Sequence, residues 1–200
     1  MERLCPFLPA TPVRTLLIAF ILLLTNHKVV AQINNKTTYT TSAQAIDTLF
    51  RTVEKHLLQT AEVMPADKYG YAPTNGEFKG VRTFGQQLKH LSADNYILGA
   101  AALNVPPPVD AGDEMGPDTV RTKAEIINYL KNSFTYLHKA LESIDEKNLP
   151  TQASPISPFL DGKATALGLV VESLLHANDH YGQLVVYLRM NGIVPVASRP

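Results

Sequence analysis

Cysteine is almost missing from this chain: its 200 residues hold one, Cys5. That residue lies in a segment read below as removed on export, so the mature protein has neither a disulfide nor a thiol nucleophile. Concentrated charge is missing too. Lysine and arginine together number 18, against 18 acidic side chains, and no basic run or mixed basic and aromatic patch occurs. This excludes the electrostatic footprint of a nucleic-acid-binding protein. The apolar run Leu16–Leu24, LLIAFILLL, covers nine residues, too few to cross a bilayer as a helix. Finally, no stretch sustains an alternation of period two, which argues against a sheet of half-buried strands.

What is present begins with an export signal. Arg3 and Arg14 precede the apolar run, and Val29-Val30-Ala31 places small residues at the −3 and −1 positions before Gln32. This pattern predicts a signal peptide over residues 1–31 and an exported protein, periplasmic or secreted, with no stable membrane span once mature. Its removal takes away Arg3, Arg14, Lys28 and Glu2, leaving 15 basic and 17 acidic residues and a net charge of about −2. Residues 32–40 read as a polar, flexible leader. The remainder, 41–200, is long enough for one domain with a sizeable core.

Four segments of that domain carry helical periodicity. The first runs from Thr41 or Ser42 to Val63 on Ile46, Phe50, Val53 and Leu57. A second spans residues 81–103. The third covers 122–145, capped by Asp118 or Thr119, on Ile126, Ile127, Leu130, Phe134, Leu137, Leu141 and Ile144. The fourth covers 164–190 and is stopped by Asn191-Gly192 and then Pro195. Between them, residues 64–80, 104–120 and 147–163 are rich in proline or glycine and read as loops. The expected fold is all-α, an up-and-down-type four-helix bundle with cofactor or metal sites between facing helices.

Chemistry concentrates on the fourth helix. His176 and His180 are one turn apart and project from one face, the geometry that two ligands of a single transition metal need. In a chain with six histidines that spacing alone is a weak sign. Its face adds weight: Leu169, Glu172, Ser173, His176, His180, Gln183 and Tyr187 form a mostly polar stripe on an otherwise apolar helix, which suggests an internal pocket. The best third ligand is His90, which shares a face of the second helix with Thr83, Gln87 and Asp94. Asp94 is a carboxylate to support the ligands or contact substrate, or simply a helix-surface aspartate. His56 reads as a partly buried core histidine, and His138 as packing or helix surface.

The stretches YAPTNGEFKGVRTFGQQLKHLSADNY and HANDHYGQLVVYLRMNGIVP carry a further signal. With them the chain resembles the DinB-like family, which includes bacillithiol- and mycothiol-dependent transferases and maleylpyruvate isomerases, over most of residues 42–198. The resemblance implies a four-helix bundle that holds a divalent metal on three histidines, here His90, His176 and His180. It also shows a departure, since Asp179 and Tyr181 flank His180 where the family often has histidine or arginine. Export is likewise unusual for members that use a cytoplasmic thiol.

The expectation is therefore an exported metal-dependent transferase or hydrolase acting on a small molecule, in which a divalent transition metal (zinc, nickel or iron) activates a thiol or water. Glu172, Asp94, Gln183 and Tyr187 are the candidates for proton handling or substrate contact. The alternative is a non-catalytic metal- or ligand-binding module of the cell envelope. The largely apolar circumference of the fourth helix further predicts a homodimer.

Overall fold

Four threonines begin the helices. The side chains of Thr41, Thr83, Thr122 and Thr165 accept hydrogen bonds from the backbone N–H groups of Gln44, Gln86, Glu125 and Gly168, which the first helical turn leaves without partners. At Thr83 and Thr122 the arrangement is reciprocal: Gln86 and Glu125 reach back to the backbone N–H of the cap. In the computed structural model, which describes residues 41–73, 80–150 and 164–199, the helices are α1 (Ser42–Val63), α2 (Phe84–Ala102), α3 (Lys123–Glu142) and α4 (Ala166–Met190). No β-strand element occurs among the described residues. The expected signal peptide, the leader 32–40 and most of the third loop, 151–163, lie outside them.

Two helix starts differ from expectation. α3 is capped by Thr122, not by Asp118 or Thr119, because Thr122 with Glu125 satisfies two end N–H groups at once. α2 begins at Phe84, not Val81, for the same reason: Thr83 and Gln86 close the box there. The loop 64–80 also contains one short 3-10 helix, Ala66–Lys68. Its Tyr69 donates a hydrogen bond to the Ala61 carbonyl at 2.7 Å and so fastens the loop to the end of α1. Lys123 adds two bonds from its ammonium to the carbonyls of Glu62 and Met64 at that end, where the helix dipole favours a cation.

The core follows the apolar stripes. Phe50 and Leu57 of α1, Phe84 and Leu91 of α2, Phe134 of α3 and Leu184 of α4 are completely buried, each contributing about 1.5–3 kcal/mol of transfer free energy. α2 packs extensively on α3 and α4, and α1 packs on the same two helices. Consecutive helices α1 and α2 are not principal partners, so the up-and-down expectation holds at the level of a four-helix bundle but not as neighbour-by-neighbour order. The long connection 64–83 permits this. Gly85 and Gly99 let α2 lie close to its surroundings: a methyl on either would meet Ile126 or Tyr136 at 3.1–3.2 Å.

A polar pin crosses this core. Asn95 of α2 donates to the Ser133 hydroxyl of α3 at 3.1 Å, and Ser173 of α4 donates to the Asn95 carbonyl oxygen at 3.2 Å. Every one of these groups is buried. Buried polar groups are tolerated when satisfied, and here the satisfaction requires one relative setting of three helices. Asn95 adjoins Asp94, so this setting also places the site described next.

Candidate metal centre

His90 on α2 and His176 and His180 on α4 converge. The ring centroids of His176 and His180 are 4.5 Å apart, and His90 lies 5.2 and 5.1 Å from them, with all three rings close to mutually perpendicular. A ligating nitrogen from each lies within 4.8 Å of the others. The facing Nε2 atoms of His176 and His180 are 2.9 Å apart. Two nitrogens bound to one ion at ~2.0–2.1 Å lie about 2.9–3.4 Å apart for angles between square and tetrahedral, so the pair is already at coordination spacing.

The outer nitrogens show how the rings are aimed. His90 Nδ1 donates to the Glu114 carbonyl at 2.7 Å, an oxygen that can only accept, and this leaves the Nε2 lone pair directed into the cluster. His180 Nδ1 pairs with Gln87 Oε1 at 2.9 Å, with the same result. Such a partner on the far nitrogen is how proteins orient histidine ligands. Burial first, and then the neighbouring imidazoles, push His180 down to about 3. Burial, reinforced by His90, brings His176 to about 4, and burial also lowers His90. All three are therefore neutral around pH 7, the form that binds metal. The donor set fits a divalent transition metal.

The Glu114 carbonyl owes its position to an unusual backbone. Gly112, Asp113, Glu114 and Gly116 all have positive φ, between 48° and 71°, a region that non-glycine residues rarely enter. Hydrogen bonds from Met115 N to Gly112 O and from Gly116 N to Ala111 O, both 2.9 Å, hold this turn over the end of the site. The sequence marked residues 104–120 as a solvated loop and gave no sign that it carries the partner of His90.

Asp94 belongs to the cluster. Its Oδ2 is 3.2 Å from His90 Nε2 and 3.4 Å from His176 Nε2, and the residue is buried, which disposes of the surface-aspartate option. Burial, aided by the charges of Glu114 and Glu172 against that of Arg82, pushes its carboxyl up to about 7. Glu172 is half-buried one turn before His176. Tyr187 is buried, and its hydroxyl donates to the Arg82 carbonyl at 3.0 Å. Gln183 is exposed and donates to Asp179 at 2.7 Å. Both line a cleft of about 400 Å³ beside His180, together with Arg82, Gln87 and Met115. Ser173 of the same stripe points instead into the polar pin.

The other two histidines among the described residues stay apart from this cluster. His56 is partly buried and stacks on Tyr181 with centroids 5.2 Å apart. His138 is neither simple packing nor plain surface: its Nδ1 meets Asp47 and its Nε2 lies 3.1 Å from Glu54, so it links α3 to two carboxylates of α1. Arg82 and Glu114 escaped the sequence reading. A carbonyl contact leaves no trace in side-chain pattern, and Arg82 stands at the edge of the second helical segment, outside the polar face that holds His90.

Comparison with known proteins agrees with the helical fold. A conserved protein from Enterococcus faecalis, known from its crystal structure, superposes with a TM-score of 0.60 at 16% identity, covering 76% of this chain and 98% of that one. At that identity the likeness concerns the fold alone. No curated protein matches the chain. The family model of the DinB superfamily matches residues 49–184, which include all four helices in whole or in large part and each of the three clustered histidines. The chain therefore belongs to the DinB superfamily.

Proposed function

We propose that this protein is an exported metal-dependent enzyme of the transferase or hydrolase type, holding one divalent transition metal on His90, His176 and His180. The observation that carries the reading is the convergence of three neutral imidazoles, His90 and His180 buried and His176 half-buried, two of them aimed by partners on their outer nitrogens. A divalent ion on three protein ligands lowers the pKa of a water or thiol and polarises an electrophile. Asp94 stands against two of the histidines, where a carboxyl group can take up or release a proton beside the reacting atoms. Tyr187 and Gln183 shape the adjacent cleft, and Glu172 adds negative charge near Asp94.

Replacing any of the three histidines with alanine is expected to reduce metal retention by orders of magnitude, while His56→Ala and His138→Ala leave stoichiometry unchanged. Metal analysis of the purified variants checks this, and zinc, nickel and iron are the ions to compare. Full retention in the His90 variant alone sinks the three-histidine site. Export, with a mature chain starting at Gln32, is tested by intact mass of protein from the envelope fraction.

One observation favours a second reading, a non-catalytic metal-binding module. Asp94 lies close enough to act as a fourth ligand and close the coordination shell. The readings separate on Asp94→Asn and on turnover. A module loses metal affinity in this variant and never turns over thiol-transfer or hydrolysis substrates, whereas an enzyme keeps its metal and loses rate.

A further inference from the structure

Among the described residues, the cleft beside His180 has one permanently charged side chain on its lining. Of the residues that line it, Gly80, Val81, Gln87, Met115, Gln183 and Tyr187 bear no charge, and His180 belongs to the three-histidine cluster. The exception is Arg82. Its Nε is buried and has no hydrogen-bond partner, and no carboxylate among the described residues forms an ion pair with it. A buried donor on a cation without a partner is costly, and folded proteins rarely leave one so.

Several other polar atoms of the lining are already engaged. Gln87 Oε1 is occupied by His180, Gln183 Nε2 by Asp179, and the Tyr187 hydroxyl by the Arg82 carbonyl. That last bond ties the Arg82 backbone to α4, while Thr83 beside it caps α2. The arginine thus stands on a fixed support between the two helices that supply the histidines. The acidic groups of the site, Asp94 and Glu114, are not part of the lining. A volume of about 400 Å³ falls at the small end of ligand pockets, which run from roughly 300 to 1,000 Å³.

We propose that the cleft selects a small substrate bearing an oxyanion, a carboxylate or phosphate, which pairs with Arg82 while the remainder of the molecule extends past His180 to the three-histidine centre. A planar guanidinium suits either anion, since its N–H fork matches two oxygens at once. The inference rests on the metal reading above for the direction in which the substrate points, but the anion site itself belongs to Arg82.

Calorimetric titration of the zinc-loaded protein with butyrate, inorganic phosphate and the neutral butyramide tests it. One or both anions are expected to bind, with butyramide at least about tenfold weaker, and the preferred anion identifies the substrate group. Arg82→Gln should weaken anion binding about tenfold or more, with metal content and melting temperature unchanged, and Arg82→Lys should recover part of the loss. Wild-type affinity for anions in Arg82→Gln overturns the proposal, as does a wild-type protein that binds neither anion at millimolar concentration. Titrations after chelation keep the two readings apart. Anion binding that survives metal removal and disappears in Arg82→Gln supports the cleft whatever becomes of the metal. Retained zinc with no anion binding defeats the cleft alone.

Discussion

Asp94 and the histidines it touches oppose each other in their response to pH. Folding disfavours protonation of His176 and His180, whose values fall from 6.5 to about 4 and about 3, and His90 moves the same way. In metal-free protein, as pH falls below 6.5, the unfolded chain takes up these protons and the folded one does not, so stability drops down to about pH 4. Asp94 runs against this. Its carboxyl rises from 3.8 to about 7, so the unfolded state ionises first and the stability it contributes is lost as pH climbs through that window. Three histidines outweigh one acid, and metal-free protein is expected to melt at lower temperature at pH 4.5 than at pH 7. Asp94→Asn removes the opposing arm. It should raise stability of the metal-free form at pH 8 by on the order of 1–2 kcal/mol, allowing for relaxation of the site, and steepen the acid-side loss. Denaturant melts across pH measure both, and unchanged stability at pH 8 contradicts the buried-carboxyl account.

At the scale of the element, the turn 111–116 and the helix caps do different work. A methyl at Gly112 would stand 2.6 Å from the Gly116 carbonyl oxygen, and the residue has φ of 54°, so Gly112→Ala has to displace backbone. The Glu114 carbonyl moves with it and His90 loses its orienting partner. Metal affinity is expected to fall about 10–100-fold, the usual effect of removing such support, while the helical content in circular dichroism stays as in the parent. The capping threonines affect stability instead. Thr122→Ala breaks a reciprocal cap at the start of α3, outside the three-histidine cluster, and should cost about 1 kcal/mol with no change in metal affinity. A variant at Gly112 that binds metal normally removes the proposed role of the turn.

For the whole molecule, metal and stability are linked by mass action. An ion that binds only the folded chain adds about 2.7 kcal/mol when free metal exceeds its dissociation constant a hundredfold. Thermal melts with and without chelator should differ accordingly, and equal melts would mean that the histidines hold no ion in solution. Assembly is a separate question. α4 leaves Leu175 66%, Val186 49% and Met190 44% exposed, which supports the homodimer we propose through this helix. Light scattering coupled to gel filtration should give twice the mature mass, and Leu175→Glu should return a monomer. Among the described residues no helix is long and apolar enough to cross a membrane.

The helices and two ligands were legible from the sequence because their signals are local. Phe50, Leu57, Phe134 and Leu137 recur at helical spacing, and any helix that accommodates His176 and His180 shows both on one face. Thr83 with Gln86 and Thr122 with Glu125 are also local, and reading them as capping boxes would have set both helix starts correctly. The third ligand needed a pairing of helices that periodicity within one helix does not contain; His90 was reached through the polar company it keeps and through family resemblance. What only the tertiary structure decided concerns groups distant in sequence: Glu114 on His90, Glu54 and Asp47 on His138, and Arg82 beside His180. Each depends on how loops return to the bundle and which helices pack together. The interaction that selects those arrangements is burial summed over the whole core, with the Asn95, Ser133 and Ser173 contacts admitting one setting of three helices.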